Sequence, residues 1–151
     1  MTDRRQEDLE AARSAIARVE RAVLGALIMG DAGVRELGLE VDDFYEPRHG
    51  ALLGLLLAME QRGEPIDLAT VAVAVARGQS ARFGGVAYVA ELPEDVVATT
   101  YVAHYAKLVR EAAARRHAVA ALRAAIERIQ NGELVDDVLR SLPRPDDRAA
   151  A

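Results

Sequence analysis

The chain has 151 residues, of which 51% are hydrophobic and 28% charged, enough apolar material for one ordinary domain with a core. The absence of cysteine excludes disulfides, cysteine-ligated metal sites and thiol catalysis, and a net charge of −5 argues against a surface devoted to nucleic acid. The polar N-terminus and the lack of a long apolar run predict a cytoplasmic protein without a membrane segment.

Apolar residues recur at helical spacing along almost the whole chain, so the expected fold class is all-α. The predicted helices before the last third of the chain cover residues 6–29, 34–37, 49–61, 68–76 and 86–92. Gly63 is placed for a left-handed helix end, Asp67 for the N-cap of the next helix, and Pro93 for a stop.

The last long helix is predicted over residues 96–130, because apolar residues there recur in alternating steps of four and three. Arg115 is the one charged position in this seam, and we expect it to fix the register or to meet an acid on a partner. The seam offers a candidate interface made of Tyr101, Tyr105, Leu108, Ala112, Arg115, Val119, Leu122 and Ile126, and continues to Ile129.

We therefore expect four parts in chain order. A polar, partly frayed helix extension covers residues 1–17, and a compact helical head covers residues 18–95. A hairpin at 96–142 consists of the long helix and a short return helix at 133–142. Residues 143–151 form a disordered tail.

No constellation in the sequence supports catalysis. A nucleotide-binding P-loop needs a lysine after a glycine-rich loop, and the single lysine, Lys107, has no such context. His104 and His117 lie thirteen residues apart, about 20 Å along a helix, and cannot share a metal ion. His49, at a helix start, favours a structural hydrogen bond or an exposed position over a role as general base. We predict no enzyme activity, no cofactor and no metal.

The segment 107–128 is basic within an acidic chain, with six Arg or Lys residues against two Glu. This pattern is typical of a solvated helix face, but it also allows contacts to nucleic acid or to an acidic partner. A small helical DNA-binding regulator is therefore the alternative hypothesis. The candidate contact residues are Lys107, Arg110, Arg116, Arg123 and Arg128.

Four motifs occur together and in order along the chain. They are VERAVLGALIM (19–29), DDFYEPRHGALLGLLLAMEQRGEPIDLATVA (42–72), FGGVAYVAEL (83–92) and HYAKLVRE (104–111). In this combination the chain resembles the N-terminal domain of DnaB-type replicative DNA helicases over roughly residues 18–142. The resemblance implies a helical head followed by a helical hairpin. In that family the hairpins pair subunits into a collar on which primase and other primosome proteins dock.

Matched to the family, Leu24, Gly25 and Leu27 belong to the first core helix, and Phe44, Tyr45, Pro47 and His49 to a structural turn and helix start. Tyr105 and Val109-Arg110-Glu111 open the hairpin. The resemblance implies a non-catalytic interaction and oligomerisation module of DNA replication. Its expected partners are itself, the replicative helicase and primase, with weak or no direct DNA binding.

Three features depart from the family pattern. The motor domain with its P-loop is missing from this sequence, so we expect no ATP hydrolysis or unwinding by this chain. VVATTY at 96–101 replaces the usual start of the hairpin helix, and the loop before Gly84 is one residue short. The return helix stops before Pro143 and is shorter than in a full hairpin.

Overall fold

The computed structural model describes residues 2–96 and 99–144, and their contacts divide the chain into two units, Met1–Arg110 and Glu111–Ala151. The described residues form α-helices and short 3-10 turns and contain no strand, which confirms the predicted all-α class. The helices are α1 (Thr2–Ile28), α2 (Pro47–Gln61), α3 (Leu68–Arg77), α4 (Val86–Glu91), α5 (Val102–Gln130) and α6 (Val135–Arg140).

Local sequence signals explain several helix ends. Pro47 is the first residue of α2, where its missing N–H costs nothing. Gly63 adopts φ +68° just beyond α2, a left-handed conformation that glycine allows without strain. Asp67 caps α3, because its side chain accepts a 2.8 Å hydrogen bond from the backbone N–H of Thr70. In return, the backbone N–H of Asp67 donates to the hydroxyl of Thr70.

The structure moves several predicted boundaries. α1 begins at Thr2 rather than at residue 6, and α6 covers only Val135–Arg140 of the predicted 133–142. α4 ends at Glu91, one residue before the predicted end at Leu92, and Pro93 lies at the start of the 3-10 turn that follows, Leu92–Asp95, where proline is tolerated.

The long helix begins at Val102, after a 3-10 turn at Thr99–Tyr101, and not at residue 96. Residues 97 and 98, at the predicted start of this helix, lie outside the described residues. Residues 145–151, which make up most of the predicted tail, also lie outside the described residues.

The first unit is built around the second half of α1 and around α2. Leu24 and Leu27 of α1 and Leu52 and Leu56 of α2 are fully buried within one apolar core. Gly25 lets α1 approach the backbone at Leu92, because a side chain there would overlap the Leu92 carbonyl group. α1 can therefore pack this closely against the turn at Leu92 only with glycine at position 25.

The second unit contains the later turns of α5 and the short helix α6. Ala125 on α5 and Val138 on α6 are buried. Arg128 donates to Glu133 Oε2 at 2.6 Å and to Ser141 Oγ at 2.7 Å. Polar bonds thus fasten both ends of the α6 segment to one arginine of α5.

Among the described helices, none is both long enough and apolar enough to cross a membrane.

Candidate interaction surface

A buried polar cluster joins α1, the turn before α2, and α4. Glu20 and His49 are both shielded from solvent, with 0% and 1% of their surface exposed. One carboxylate oxygen of Glu20 accepts from the backbone N–H of Tyr45, and the other from the N–H of Glu46 at 3.3 Å and from His49 Nδ1 at 2.7 Å. The carboxylate therefore satisfies three donors that have been taken out of water.

Tyr88 of α4 completes this cluster. Its hydroxyl lies 2.6 Å from His49 Nε2, and the two rings are stacked with centroids 6.1 Å apart. The guanidinium of Arg48 lies over the Tyr88 ring, with its central carbon 3.9 Å from the ring centroid. Burial raises the pKa of the Tyr88 hydroxyl, and the nearby positive charge of Arg48 offsets part of that rise.

The chemistry of this cluster is structural. Its carboxylate is occupied by three donors and enclosed in the core, so it has no access to a substrate. His49 thus makes a buried structural hydrogen bond, which is one of the two environments predicted for it from the sequence; the other was an exposed position. Within residues 2–96 and 99–144, no group of three or more His, Asp or Glu side chains is arranged to hold a metal ion.

In the first unit, α5 packs on the core through Val102, Ala106 and Val109, which follow one another at helical spacing. The predicted seam lies on the adjacent row of the helix. Tyr101 is 58% exposed, and Tyr105 and Leu108 are half-buried. Tyr101 and Tyr105 make an edge contact with ring centroids 6.4 Å apart.

In the second unit, the seam residues are more exposed. Ala112 is half-buried and Arg115 is exposed. Val119, Leu122 and Ile126 expose 47%, 52% and 55% of their surface. Three large aliphatic side chains therefore lie in water on consecutive turns of one helix, which is costly unless a partner covers them. Their role at an interface stays a prediction.

The predicted cationic contacts have different environments. Lys107 and Arg123 are exposed, whereas Arg116 is half-buried. Arg110, also half-buried, donates to the backbone carbonyl of Leu37, and Arg128 is bonded within the second unit. The assignment of these residues as partner contacts stays a prediction, and two of them have structural hydrogen bonds.

Two features were missed by the sequence analysis. Leu134, Val135 and Leu139, in and before α6, are 72%, 50% and 54% exposed, and their apolar spacing in a short segment was the only available signal. Glu20 was not singled out, although a lone acid inside the apolar run VERAVLGALI is an indication of a buried polar partner.

The model of the DnaB-like helicase N-terminal domain matches residues 13–111, about two thirds of the chain. The chain belongs to this family. The matched range contains the buried cluster and the first part of α5, and it ends before the exposed residues Val119, Leu122 and Ile126.

Curated relatives extend the similarity beyond this range. The chain is 33% identical to the replicative DNA helicase DnaB of Geobacillus stearothermophilus over 132 residues, which cover 85% of the chain and 28% of that protein. It is 32% identical to the replicative DNA helicase DnaC of Bacillus subtilis, covering 82% of the chain and 27% of that protein. The chain therefore spans less than a third of the length of these relatives.

Solved structures show the same fold. The crystal structure of the N-terminal domain of DnaB helicase from Mycobacterium tuberculosis is 32% identical, with a TM-score of 0.69, and the match covers 82% of this chain and 90% of that one. A structure of a DnaB-like replicative helicase and its interactions with primase gives a TM-score of 0.72 at 21% identity, covering 89% of this chain and 33% of that one. At that identity the second match supports the fold alone.

Proposed function

We propose that the chain is a non-catalytic protein-interaction and oligomerisation module of DNA replication in the bacterial cytoplasm. Its family membership supports this role, since the relatives are replicative helicases and one neighbour of the same fold is described with primase. The partners would be a second copy, the replicative helicase, or primase. The chain would contribute binding surface and no ATP-driven step.

The observation that carries the proposal is the row of exposed aliphatic residues on α5. Val119, Leu122 and Ile126 present an apolar stripe, and Tyr105 and Leu108 carry the same heptad row in the first unit. A helix with such a row buries it by laying it against another helix. Docking would thus remove from water the apolar surface that the isolated chain leaves exposed.

Light scattering over a range of concentrations tests this proposal. The chain is measured alone and after mixing with the helicase or primase of the same source. Leu122→Glu places a charge in the stripe, and we expect assembly to weaken about tenfold or more. Leu108→Glu tests the same row in the first unit.

Leu9→Glu is the matched control, because Leu9 lies on α1 and is exposed to a similar extent, 55% against 52%. It should leave assembly unchanged. The proposal is wrong if the wild-type chain binds neither itself nor these partners, or if assembly survives both changes in the row on α5.

A further inference from the structure

The turn between α5 and α6 holds the only asparagine of the chain, Asn131, and a glycine follows it. Both residues are exposed to solvent. An Asn-Gly pair is prone to spontaneous deamidation, because glycine has no side chain to hinder its backbone nitrogen when that nitrogen attacks the asparagine side chain. The sequence thus places a self-reacting pair at the end of α5.

The reaction needs only water and hydroxide. The Gly132 nitrogen gives its proton to hydroxide and forms a bond to the side-chain carbonyl carbon of Asn131. The bond from this carbon to the amide nitrogen breaks, and the nitrogen takes a proton from water and leaves as ammonia, which regenerates hydroxide. Water then opens the five-membered imide on one side or the other. The products are aspartate and isoaspartate, in which the backbone runs through the former side chain.

The folded turn holds this reaction back. Gly132 has φ +93°, and its N–H donates to the carbonyl of Ile129 at 3.0 Å. The N–H of Glu133 donates to the carbonyl of Arg128 at 3.1 Å. These two bonds form the Schellman motif that closes the end of a helix. While they persist, the Gly132 nitrogen is engaged, so the attack has to wait until the turn opens locally.

The side chain of Arg128 helps to keep this turn closed. It donates to Glu133 Oε2 at 2.6 Å and to Ser141 Oγ at 2.7 Å, and both contacts are exposed. Exposed polar contacts are weak and are screened by salt. The turn therefore opens at a small cost compared with unfolding of the whole chain.

Either product would disturb the turn in which it forms. Aspartate adds a negative charge at the C-terminal end of α5, where the helix dipole is also negative. Isoaspartate in addition lengthens the backbone by one methylene group between Arg128 and Glu133. The two hydrogen bonds of the Schellman motif then no longer fit the spacing of the chain.

We propose that Asn131 is a site of spontaneous deamidation whose rate is set by opening of the turn between α5 and α6, and that its conversion to isoaspartate releases α6 from α5. The charge of this turn and the attachment of α6 would thus change with the age of the molecule, without any enzyme.

Ageing of the full chain, followed by peptide mapping with mass spectrometry, tests the first part of the proposal. Deamidation appears as the replacement of an NH2 group by an OH group in the peptide that contains residue 131. We expect aspartate and isoaspartate to form in the folded chain, at least about tenfold more slowly than in the chain unfolded in urea. The rate should rise with pH, because the attacking nitrogen has to lose its proton.

Arg128→Met keeps most of the side-chain stem but removes the two polar contacts, so it should speed deamidation about threefold. Arg123→Met is the matched control, because it removes the same charge earlier on α5, and it should react at the wild-type rate. Asn131→Gln should stop the reaction over the same time, since the attack would then have to close a six-membered ring.

Three results would overturn this part of the proposal. The first is no product in the folded chain after about ten half-lives of the reaction in urea. The second is an equal rate in the folded and the unfolded chain, and the third is an equal rate in Arg128→Met and the wild type. The last two would show that the turn does not control the reaction.

Hydrogen exchange measured by mass spectrometry tests the release of α6. The N–H groups of Val138 and Ser141 donate to carbonyls of Leu134 and Asp137. They should exchange about fivefold faster in the purified isoaspartate form than in the fresh chain. Asn131→Asp carries the added charge on a normal backbone, so its exchange should be intermediate. Equal exchange in the isoaspartate form and the fresh chain would overturn the release of α6.

Discussion

Replacing Glu20 by alanine tests the buried cluster that joins α1 to the start of α2. The change leaves two backbone N–H groups, of Tyr45 and Glu46, and the Nδ1–H of His49 without their acceptor. Each buried donor left unsatisfied costs roughly 1 to 3 kcal/mol. We expect Glu20→Ala to lower the free energy of unfolding by about 4 kcal/mol.

In a chain of this length, such a loss corresponds to a fall in Tm of about 10 °C. Urea unfolding followed by circular dichroism, together with a thermal scan, measures both quantities. Glu20→Gln keeps one acceptor oxygen, so its loss should be intermediate. Glu10→Ala is the control: Glu10 lies on the same helix but is exposed, and its removal should change stability by less than about 0.5 kcal/mol. A loss at position 20 no greater than at position 10 would refute the reasoning.

Two other predictions concern packing and pH. Gly25→Ala forces a Cβ into the backbone of Leu92 and should lower the free energy of unfolding by about 1 to 3 kcal/mol. In the control Gly54→Ala the new Cβ meets only Val41 Cγ2 at 3.6 Å, so this change should be neutral or stabilising. Equal effects of the two variants in urea unfolding would contradict the packing argument. Because burial raises the pKa of Tyr88 above 10.0, its contribution to stability is complete below about pH 10 and is lost as pH rises through the folded-state pKa. Tyr88→Phe should therefore flatten the fall in unfolding free energy at alkaline pH. Identical plots of unfolding free energy against pH for the wild type and the variant would contradict this prediction.

Much of the fold was predictable because its helices carry local signals. The spacing of apolar residues gave the class, Asp67 marked the start of α3, and Gly63 marked the end of α2. Pro93 marked the end of α4 to within one residue, but it did not reveal the 3-10 turn that follows, because a proline that ends one helix is equally acceptable at the beginning of a 3-10 turn.

The surface of α5 shows a second limit of prediction from the sequence. Two adjacent rows of this helix are apolar: Val102, Ala106 and Val109 face the core, and the row through Tyr105 and Leu108 is partly exposed. Periodicity alone locates both rows but does not say which one the same chain covers. That choice depends on the shape of the head, which is a tertiary property.

The Glu20 carboxylate also bears on how the fold assembles. Glu46 is the N-cap of α2 but makes no side-chain cap bond, and its own N–H bonds instead to Glu20, 26 residues away. The first turn of α2 closes locally, with the N–H groups of His49 and Gly50 donating to the Glu46 carbonyl, but the N–H groups of Tyr45 and Glu46 just before the helix find their acceptor only after α1 has docked. Long-range dependence of this kind couples the two helices during folding, so we infer that α1 and α2 gain their stability in one cooperative step rather than as independent segments.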